Sequence, residues 1–574
     1  MIKNMSADIL DRMHERFNRL YGLHRADHCL ERLAAMIGRY GVGYDHHPAA
    51  AKWDEKRIAL ITYADTILRD GERPLVTLKH FADQHLSSVI DTIHILPFFP
   101  WSSDDGFSVI DYRQVNPDVG RWLDIQALDE NFNLMFDLVL NHCSRKSTWF
   151  RNYVAGIAPY RDYFIEIDPS VDLSAVVRPR STPVLTEVHK DMDEASVWAT
   201  FGSDQIDLNF ANPDVLFEFF DVLFFYLSKG ARIIRLDAIA YLWKQPGTSC
   251  IHLKQTHEVV KLMRDLLDMI APDAVLLTET NVPHKENISY FGHGDEAHMV
   301  YQFSLPPLLL HALTTGNAAF LRQWAQTASI CPENCTYFNF TASHDGIGVR
   351  PLTGLIPDDE FAALIDHVQA QGGHVSTKRN TDGTDSPYEL NITYFDALGG
   401  DDQQISRFLC SQTVMLGLKG VPGIYFHSLT ATPNDYDGVE STGRARSINR
   451  RKWNLDDIEN ELNRSGATAT VFHEYCRRIQ IRARQKAFHP DAHQRVVELD
   501  DGLFGFVRVA PDGNQIIVCI HNVSKDEQSV TIDQRFPELD TPNPLTDLLS
   551  GTRTSGSTKH INLAPYQTVW LMQG

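Results

Sequence analysis

Polar side chains follow four of the short apolar runs in this sequence, and their chemical types suit acid–base and nucleophilic catalysis. In chain order they are Asn141, His142, Arg235, Asp237, Glu279, His344 and Asp345. An ionised carboxylate can attack an electrophilic carbon, and a carboxyl group that keeps its proton can pass it to a leaving group. Residues of these types at the ends of successive runs predict one site in which carboxylates carry the chemistry.

Eight apolar runs alternate with helical stretches after Lys56, and these runs are the elements that must position the polar side chains. They cover residues 58–63, 88–99, 133–142, 231–240, 274–280, 298–303, 335–345 and 420–427. Near-continuous apolarity is typical of a parallel strand that is covered on both faces. Eight such strands with intervening helices predict an α/β fold, a (β/α)8 TIM barrel, whose active site lies at the C-terminal ends of its strands.

The remaining segments predict insertions and terminal additions around the barrel. Residues 5–40 carry two apolar stripes at helical spacing, and the chain from about 490 alternates apolar and polar residues between Asp-Gly turns. We expect a helical extension at 1–50, the barrel at 51–144 and 206–485, a loop-rich inserted domain at 145–205, an inserted acceptor-loop region at 355–400 and a C-terminal all-β domain at 490–574.

The composition limits the classes of partner. The 574 residues include 53 Lys and Arg against 74 Asp and Glu, and the formal net charge of −21 disfavours nucleic acid and anionic membrane surfaces. The eight cysteines are scattered, and Cys331 and Cys335 have no further zinc ligands at a suitable spacing. The sequence shows neither a signal peptide nor a membrane-spanning run, which predicts a cytoplasmic protein, and it carries no signal for an oligomeric state.

Several of these runs resemble the motifs of the α-amylase superfamily, glycoside hydrolase family 13, in the family's order. The matching stretches are DLVLNH (137–142), DQIDLN (204–209), ARIIRLDA (231–238), LLTET (276–280) and ASHD (342–345). The resemblance implies that Asp237 is the nucleophile, Glu279 the general acid/base and Asp345 the carboxylate that stabilises the transition state. It also implies that His142 and His344 bind sugar hydroxyls, and that no metal or organic cofactor takes part.

These roles make physical demands on the three carboxyl groups. Asp237 must stay ionised, and Arg235 lies two residues earlier on the same strand face, where its charge would help. Glu279 must keep a proton near neutral pH, so its surroundings should raise its pKa. The carboxyl groups of a retaining pair lie about 5–5.5 Å apart, which leaves no room for water between them.

Four further segments resemble the sucrose phosphorylase-like branch of that family. They are HILPFFPWSSDDGFSVIDYRQVNP (94–117), RPRSTP (178–183), SPYELNITYFDAL (386–398) and GRARSINR (443–450). By this resemblance Asp104, Phe107 and Arg450 hold the terminal glucosyl ring, while Arg180 and Tyr388 meet inorganic phosphate. Because the sequence contains no glycine-rich phosphate loop, phosphate must be bound by side chains from loops.

The acceptor is the least determined part of the expected reaction. Glu389 stands where a glutamine is common in sucrose-specific enzymes, and it suits the hydroxyls of a neutral polyol. It would repel glycerate unless Arg350, Lys378 or Arg379 compensates for its charge. The sequence therefore favours phosphorolysis of 2-O-α-glucosylglycerol slightly over glucosylglycerate. Sucrose or sucrose 6′-phosphate phosphorolysis, an α-glucoside hydrolase or transglucosidase, and a non-catalytic amylase-like scaffold remain as alternatives.

Overall fold

Eight parallel strands form a closed barrel, as the alternation of apolar runs predicts. The computed structural model of the chain describes residues 7–40, 51–190, 193–380, 382–539, 543–554 and 560–573. The barrel strands, numbered along the chain, are β1 (Ala59–Thr62), β2 (Thr92–Ile95), β3 (Asn133–Leu138), β4 (Ala231–Leu236), β5 (Val275–Thr278), β6 (Met299–Tyr301), β7 (Thr336–Asn339) and β8 (Val421–Tyr425). Each strand pairs with its neighbours along the chain, and β8 closes on β1. The predicted barrel fold is confirmed.

The barrel strands are covered on both faces. Every residue of β1, β2 and β5 to β8 is buried, which accounts for the near-continuous apolar runs in the sequence. Gly423 in β8 shows how tightly the barrel is packed, because a Cβ atom there would come within 2.4 Å of the Phe338 ring. Only glycine fits at that position without moving the aromatic side chain.

Helices surround the barrel and return the chain from one strand to the next. The longer ones are Pro74–His85, Trp122–Asp129, Pro213–Ser228, Lys254–Ile270, Leu305–Thr315, Ala319–Ala328, Asp358–Ala370, Gln404–Gly417, Leu455–Asn463 and Ala467–Arg482. The shorter ones are Thr148–Val154, His284–Ile288, Tyr394–Ala397, Phe426–Leu429 and Tyr436–Thr442. Single turns of 3-10 helix include Asp104–Gly106, Ile239–Tyr241, Arg350–Leu352 and Ala445–Asn449, all in loops near the C-terminal ends of the strands.

Two N-terminal helices, α1 (Ala7–Tyr21) and α2 (Leu23–Tyr40), pack against the outside of the barrel. Their buried stripe includes Met13, Phe17 and Leu33, and arginines on α1 pair with carboxylates on the helix Lys254–Ile270. The predicted extension covers these helices, while its last residues, 41–50, lie outside the described part of the chain.

Two insertions lie in loops that follow β3 and β7. The first contains the helix Thr148–Val154 and a hairpin of Leu185–Lys190 with Asp193–Trp198, and a short pair of His142–Ser144 with Gln205–Asp207 joins its two ends. The second is more regular than a turn-rich loop, because the helix Asp358–Ala370 lies beside a three-stranded antiparallel sheet. Its strands are Ile347–Gly348, His374–Arg379 and Asp385–Asn391. Three carboxylates in the first turn of that helix favour its formation.

The C-terminal segment forms an antiparallel β domain with its own apolar cluster. Its main sheet contains His493–Val497, Leu503–Val509, Ile516–Asn522, Leu545–Asp547 and Thr568–Gln573, and a second pair consists of Gln528–Thr531 and His560–Leu563. In the described part of the chain, no helix combines the length and apolar character needed to span a bilayer. The same residues contain no group of three or more His, Cys, Asp or Glu side chains placed to hold a metal ion.

Candidate active site

Three carboxylates from different barrel strands meet in one cavity. Asp237 directly follows β4, Glu279 directly follows β5, and Asp345 lies in the loop after β7. The predicted residues that line this cavity with them are Asp104, Phe107, His142, Arg180, His344, Tyr388 and Glu389. The common position of strand ends in a parallel barrel explains why residues so far apart in sequence come together.

Arg235 lies buried next to these carboxylates and does not itself line the cavity. Its guanidinium is buried, and one nitrogen, Nη1, donates both to Asp237 at 2.8 Å and to Asp137. Its Nη2 atom lies 3.9 Å from Glu279. Asp137 is held in turn by His94, whose Nε2 lies 2.7 Å from the second carboxylate oxygen. One buried cation thus contacts three carboxylates, and the shortest of these contacts within the cavity goes to Asp237.

Asp137 and His94 were not assigned a role from the sequence. Asp137 opens the DLVLNH motif, and its position on the buried strand β3, opposite Arg235 of β4, is the signal that could have identified it. Both side chains are fully buried, so their hydrogen bond is screened from solvent. The hydrogen-bonded pair of Asp137 and His94 therefore fixes the position of the Arg235 guanidinium.

Asp237 and Glu279 have contrasting surroundings although they share the cavity. The Glu279 Oε2 atom accepts a hydrogen bond of 3.0 Å from the Ala238 backbone N–H. Ala238 adopts a left-handed conformation with φ +51°, which costs about 1–2 kcal/mol and turns the chain sharply after Asp237. Burial raises the pKa of both carboxyl groups, and the charge of Arg235 opposes this shift in each. Because the charge of Glu279 raises the pKa of Asp237 further, the two groups titrate as a pair.

Asp345 is surrounded by cations. Its Oδ1 atom lies 2.6 Å from Arg446 Nη1 and 3.7 Å from Arg450 Nη2. Burial acts to raise the pKa of Asp345, but Arg446, His344 and Arg450 together hold it well below its ordinary value. Burial also lowers the pKa of His344 to about 3, so this imidazole is neutral near neutral pH. Its ring stacks on Phe107 with 4.8 Å between centroids.

A strained turn directs two neighbouring carboxylates into different places. Asp104 and Asp105 both adopt left-handed conformations, with φ values of +55° and +48°, and Gly106 follows. Asp104 lines the catalytic cavity and accepts a hydrogen bond of 3.1 Å from Gln205, while Asp105 pairs with Arg444 and Arg450 behind it. Such strain persists only where surrounding contacts hold it, and here the contacts are the Gln205 hydrogen bond to Asp104 and the ion pairs of Asp105 with Arg444 and Arg450.

Arg450 supports the site from behind and does not line the catalytic cavity. Its Nε atom donates to the His344 carbonyl oxygen at 2.7 Å, and its Nη1 atom pairs with Asp105. This placement differs from the expectation that Arg450 contacts the glucosyl ring. Arg446, four residues earlier in the same segment, is the arginine that lines the cavity. The segment GRARSINR contains both, and only long-range contacts distinguish them.

His142 lines the cavity and also organises its wall. Its Nε2 atom lies 2.9 Å from the Phe107 carbonyl oxygen and 3.1 Å from the Gln205 amide, and its Nδ1 atom lies 3.2 Å from the Asn141 amide. The ring therefore joins the loop that carries Phe107 to the end of β3.

The side of the cavity formed by the segments RPRSTP and SPYELNITYFDAL, which the sequence predicts to be the acceptor side, contains cations and phenols. The Arg180 guanidinium carbon lies 5.8 Å from the ring centroids of both Tyr388 and Phe201. Burial raises the pKa of the Tyr388 phenol, which remains a hydrogen-bond donor. Burial likewise raises the pKa of Tyr241, and the charges of Arg350 and Arg180 oppose that shift. Both arginines therefore lie close enough to Tyr241 to act on its hydroxyl.

Three other cations near this side differ in how far they are already paired. The Arg350 Nη1 atom is buried and has no hydrogen-bond partner among the described residues. Lys378 donates to the Asn380 side chain at 2.6 Å, and Arg379 forms an ion pair with Asp385 at 2.5 Å. Of these three, Arg350 retains an unused buried donor.

Glu389 is already paired at the cavity wall. Its two carboxylate oxygens accept hydrogen bonds of 3.0 Å each from Nε and Nη2 of Arg446, in a two-pronged ion pair. Its Oε1 atom also accepts the Gly346 backbone N–H at 3.0 Å. The side chain is only 2% exposed. The negative charge of Glu389 is therefore balanced within the protein.

An outer cavity of about 500 Å³ adjoins the catalytic one. The two share Asp104, Arg180, Tyr388, Glu389 and Arg446. The outer cavity adds Arg444 and hydroxyl side chains from both insertions, among them Thr182 and Ser376. Its charged lining residues are four arginines and three carboxylates, which leaves a small local excess of positive charge.

Comparisons with known proteins agree with this architecture. A family model described as the alpha amylase catalytic domain matches residues 86–353. The solved structure of sucrose 6F-phosphate phosphorylase from Thermoanaerobacter thermosaccharolyticum superimposes with a TM-score of 0.71 at 27% identity. That match covers 82% of this chain and 94% of the solved one.

Two curated relatives are named as phosphorylases of two different glucosides. Glucosylglycerate phosphorylase of Escherichia coli K12 is 47% identical over 526 residues, which cover 90% of this chain and 92% of that protein. Glucosylglycerol phosphorylase of Marinobacter adhaerens is 31% identical over 422 residues, which cover 71% of this chain and 84% of that protein. The similarity therefore extends over nearly the whole chain and is greater to the first relative.

Proposed function

The chain belongs to the α-amylase superfamily, within its sucrose phosphorylase-like branch of glycoside phosphorylases, and we propose that its substrate is 2-O-α-glucosylglycerate. The products are α-glucose 1-phosphate and glycerate. Asp237, Glu279 and Asp345 carry the reaction, and Arg180 with Tyr388 binds inorganic phosphate.

The reaction proceeds by two displacements at the anomeric carbon. A carboxylate oxygen of Asp237 bonds to that carbon while the bond to glycerate breaks, and Glu279 gives its proton to the departing oxygen. A phosphate oxygen then bonds to the same carbon, the ester to Asp237 breaks, and Glu279 takes the proton of phosphate. Two inversions give net retention, and Asp345 stabilises the positive charge that develops on the sugar.

The contacts of the two acidic groups support this division of roles. The direct hydrogen bond from Arg235 favours the charged form of Asp237, whereas Glu279 lies 3.9 Å from the same guanidinium. We assign the shared proton to Glu279 because the direct hydrogen bond from Arg235 favours ionised Asp237, although burial raises the pKa of Asp237 further than that of Glu279. A protonated, buried carboxyl beside an ionised one is what a general acid and a nucleophile require.

The pairing of Glu389 supports glycerate as the leaving group. The sequence favours glycerol because an uncompensated carboxylate at Glu389 would repel glycerate. Arg446 pairs with Glu389 through two hydrogen bonds while sharing its single charge with Asp345, so Glu389 does not face glycerate as an unpaired carboxylate. The pairing of Glu389 is the observation that carries the proposal, and we infer that the buried Nη1 atom of Arg350, which lies behind the cavity wall beside Tyr241 and has no hydrogen-bond partner among the described residues, donates to the carboxylate of glycerate. The greater similarity to the Escherichia coli relative points the same way.

A panel of donors tests the proposal. Purified protein is incubated with phosphate and either glucosylglycerate, glucosylglycerol, sucrose or sucrose 6′-phosphate, and α-glucose 1-phosphate is measured. We expect the highest kcat/KM with glucosylglycerate. A higher value with any other donor contradicts the proposed substrate, and no product from any donor contradicts the phosphorylase assignment.

The variant Arg350→Gln refines the same test. Loss of one charge-assisted hydrogen bond should lower kcat/KM for glucosylglycerate by about 10- to 100-fold and leave glucosylglycerol within a few-fold. Arg379→Gln is the matched control, because Arg379 already pairs with Asp385 near the surface. Equal losses of kcat/KM for both donors in Arg350→Gln would show that Arg350 does not bind the carboxylate of glycerate.

A further inference from the structure

We propose that Glu389 is a positioning residue that acts through Arg446 on Asp345, and that it thereby links the acceptor-side insertion to the glucosyl-transfer step. The inference rests on the phosphorylase chemistry proposed above and is independent of which acceptor is used. It assigns Glu389 a different role from that of a ligand for acceptor hydroxyls.

Arg446 connects two carboxylates from different parts of the fold. Its Nη1 atom contacts Asp345 at 2.6 Å, and its Nε and Nη2 atoms contact Glu389 at 3.0 Å each. Asp345 belongs to the loop after β7, and Glu389 to the strand Asp385–Asn391 of the second insertion. The planar guanidinium spans both with a fixed geometry, so a displacement of one carboxylate moves the other.

Glu389 also holds Asp345 from its other side. The Gly346 N–H that donates to Glu389 belongs to the residue next to Asp345 in the chain. A Cβ atom at Gly346 would come within 2.6 Å of the Glu389 side chain, so glycine is needed for this close approach. Glu389 therefore contacts the Asp345 backbone region directly and the Asp345 carboxylate through Arg446.

The strand that carries Glu389 also carries part of the acceptor wall. Tyr388, one residue earlier, lines the cavity beside Arg180. The sheet thus places the acceptor wall and the support for Asp345 on neighbouring residues. When this strand is in place, Arg446 is held where it keeps Asp345 charged, and the transition state of glucosyl transfer is stabilised.

α-Glucosyl fluoride separates this role from acceptor binding. With this donor the carbon–fluorine bond breaks as Asp237 bonds to the anomeric carbon, and fluoride leaves without any acceptor group. Phosphate then displaces Asp237 to give α-glucose 1-phosphate. We expect Glu389→Gln to lower kcat for fluoride release about 10- to 100-fold at saturating phosphate, since the charge that holds Arg446 is gone. Turnover equal to the unaltered protein, with a raised KM only for glucosylglycerate, would overturn the proposal.

Two further variants distinguish a specific effect on Asp345 from a general loss of folded structure. Asp385→Asn removes a carboxylate from the same strand and breaks its ion pair with Arg379, but it should leave fluoride release within two-fold. Arg446→Gln should shift the acid limb of the pH profile to higher pH, because Asp345 then loses the cation that keeps it ionised. A uniform loss of rate at every pH, with no shift, would show that Arg446 has only a structural role.

These outcomes are distinct from failure of the proposed substrate. The fluoride donor contains no glycerate, so an incorrect acceptor would alter the donor panel and leave the effect of Glu389→Gln unchanged. Absence of fluoride-supported α-glucose 1-phosphate from the unaltered protein would instead contradict the phosphorylase chemistry itself, and the positioning proposal with it.

Discussion

Two arginines that line or underlie the cavity determine how charge is distributed among its carboxylates. Arg235 contacts Asp137, Asp237 and Glu279, and Arg446 contacts Asp345 and Glu389. A buried carboxylate is costly unless a cation and hydrogen bonds compensate for lost hydration. Glu279 has the weakest contact with either cation, which leaves it as the group best suited to carry the proton.

Glu279 provides the clearest residue-scale prediction. Its pKa is raised by burial, so the carboxyl is protonated below that pKa and loses its proton as pH rises through it. The first displacement with glucosylglycerate should therefore slow at high pH. Glu279→Gln should lower kcat for glucosylglycerate by about 10²- to 10⁴-fold, because the poor leaving group then departs without a proton.

Fluoride release is the control for that variant. Fluoride leaves readily without a proton, so the first turnover of α-glucosyl fluoride by Glu279→Gln should lose much less rate, measured as a rapid burst. Equal losses with both donors would contradict the assignment of Glu279 as the general acid.

At the scale of elements, the periodicity of the sequence was sufficient to predict the barrel and the residues at its strand ends. Asp237 and Glu279 directly follow buried strands, so locating the strands also locates these side chains. Loop contacts could not be predicted in this way. The Glu389–Arg446 pair joins residues 57 positions apart, and the turn at Asp104 and Asp105 contains two unfavourable conformations held by contacts with distant residues, namely Gln205, Arg444 and Arg450. For this reason the sequence-based prediction places Arg450 against the sugar, whereas Arg446 is the arginine that lines the cavity.

The N-terminal helices give a prediction about stability at the same scale. Arg16 of α1 is buried and pairs with Asp265 at 2.7 Å, with Asp295 and Glu258 nearby. Removing one partner of a buried pair costs about 3–5 kcal/mol when the remaining charge loses all compensation, and we expect a smaller loss here because Asp265 keeps its ion pair with Arg12 at 2.9 Å. Arg16→Gln should therefore lower the apparent Tm by several degrees, as measured by differential scanning fluorimetry, while leaving KM for the donor unchanged.

Arg39 of α2 supplies the matched comparison. Its side chain is 66% exposed, and exposed pairs contribute about 0–1 kcal/mol. Arg39→Gln should change the Tm by a degree or less. If both variants lowered the Tm equally, burial would not be what makes the α1 contact important.

At the scale of the whole molecule, the net charge of −21 and the demand for anionic substrates appear opposed. In the structure the outer cavity is lined by four arginines, Arg180, Arg444, Arg446 and Arg450, against three carboxylates, Asp104, Asp105 and Glu389. The local excess of cations acts on an anion in this cleft more strongly than the rest of the surface does, because distant surface charges are screened within about 8 Å in physiological salt. The acidic surface therefore disfavours polyanionic partners without excluding phosphate from the site.

Proton NMR of the products formed from glucosylglycerate, with and without phosphate, tests the central claim most directly. Retaining phosphorolysis predicts α-glucose 1-phosphate as the first product, in equal amount to released glycerate, with Asp237→Asn forming none. Product formation should stop when phosphate is omitted, apart from slow hydrolysis. Free glucose released at the same rate with and without phosphate, or β-glucose 1-phosphate as the first product, would contradict the account.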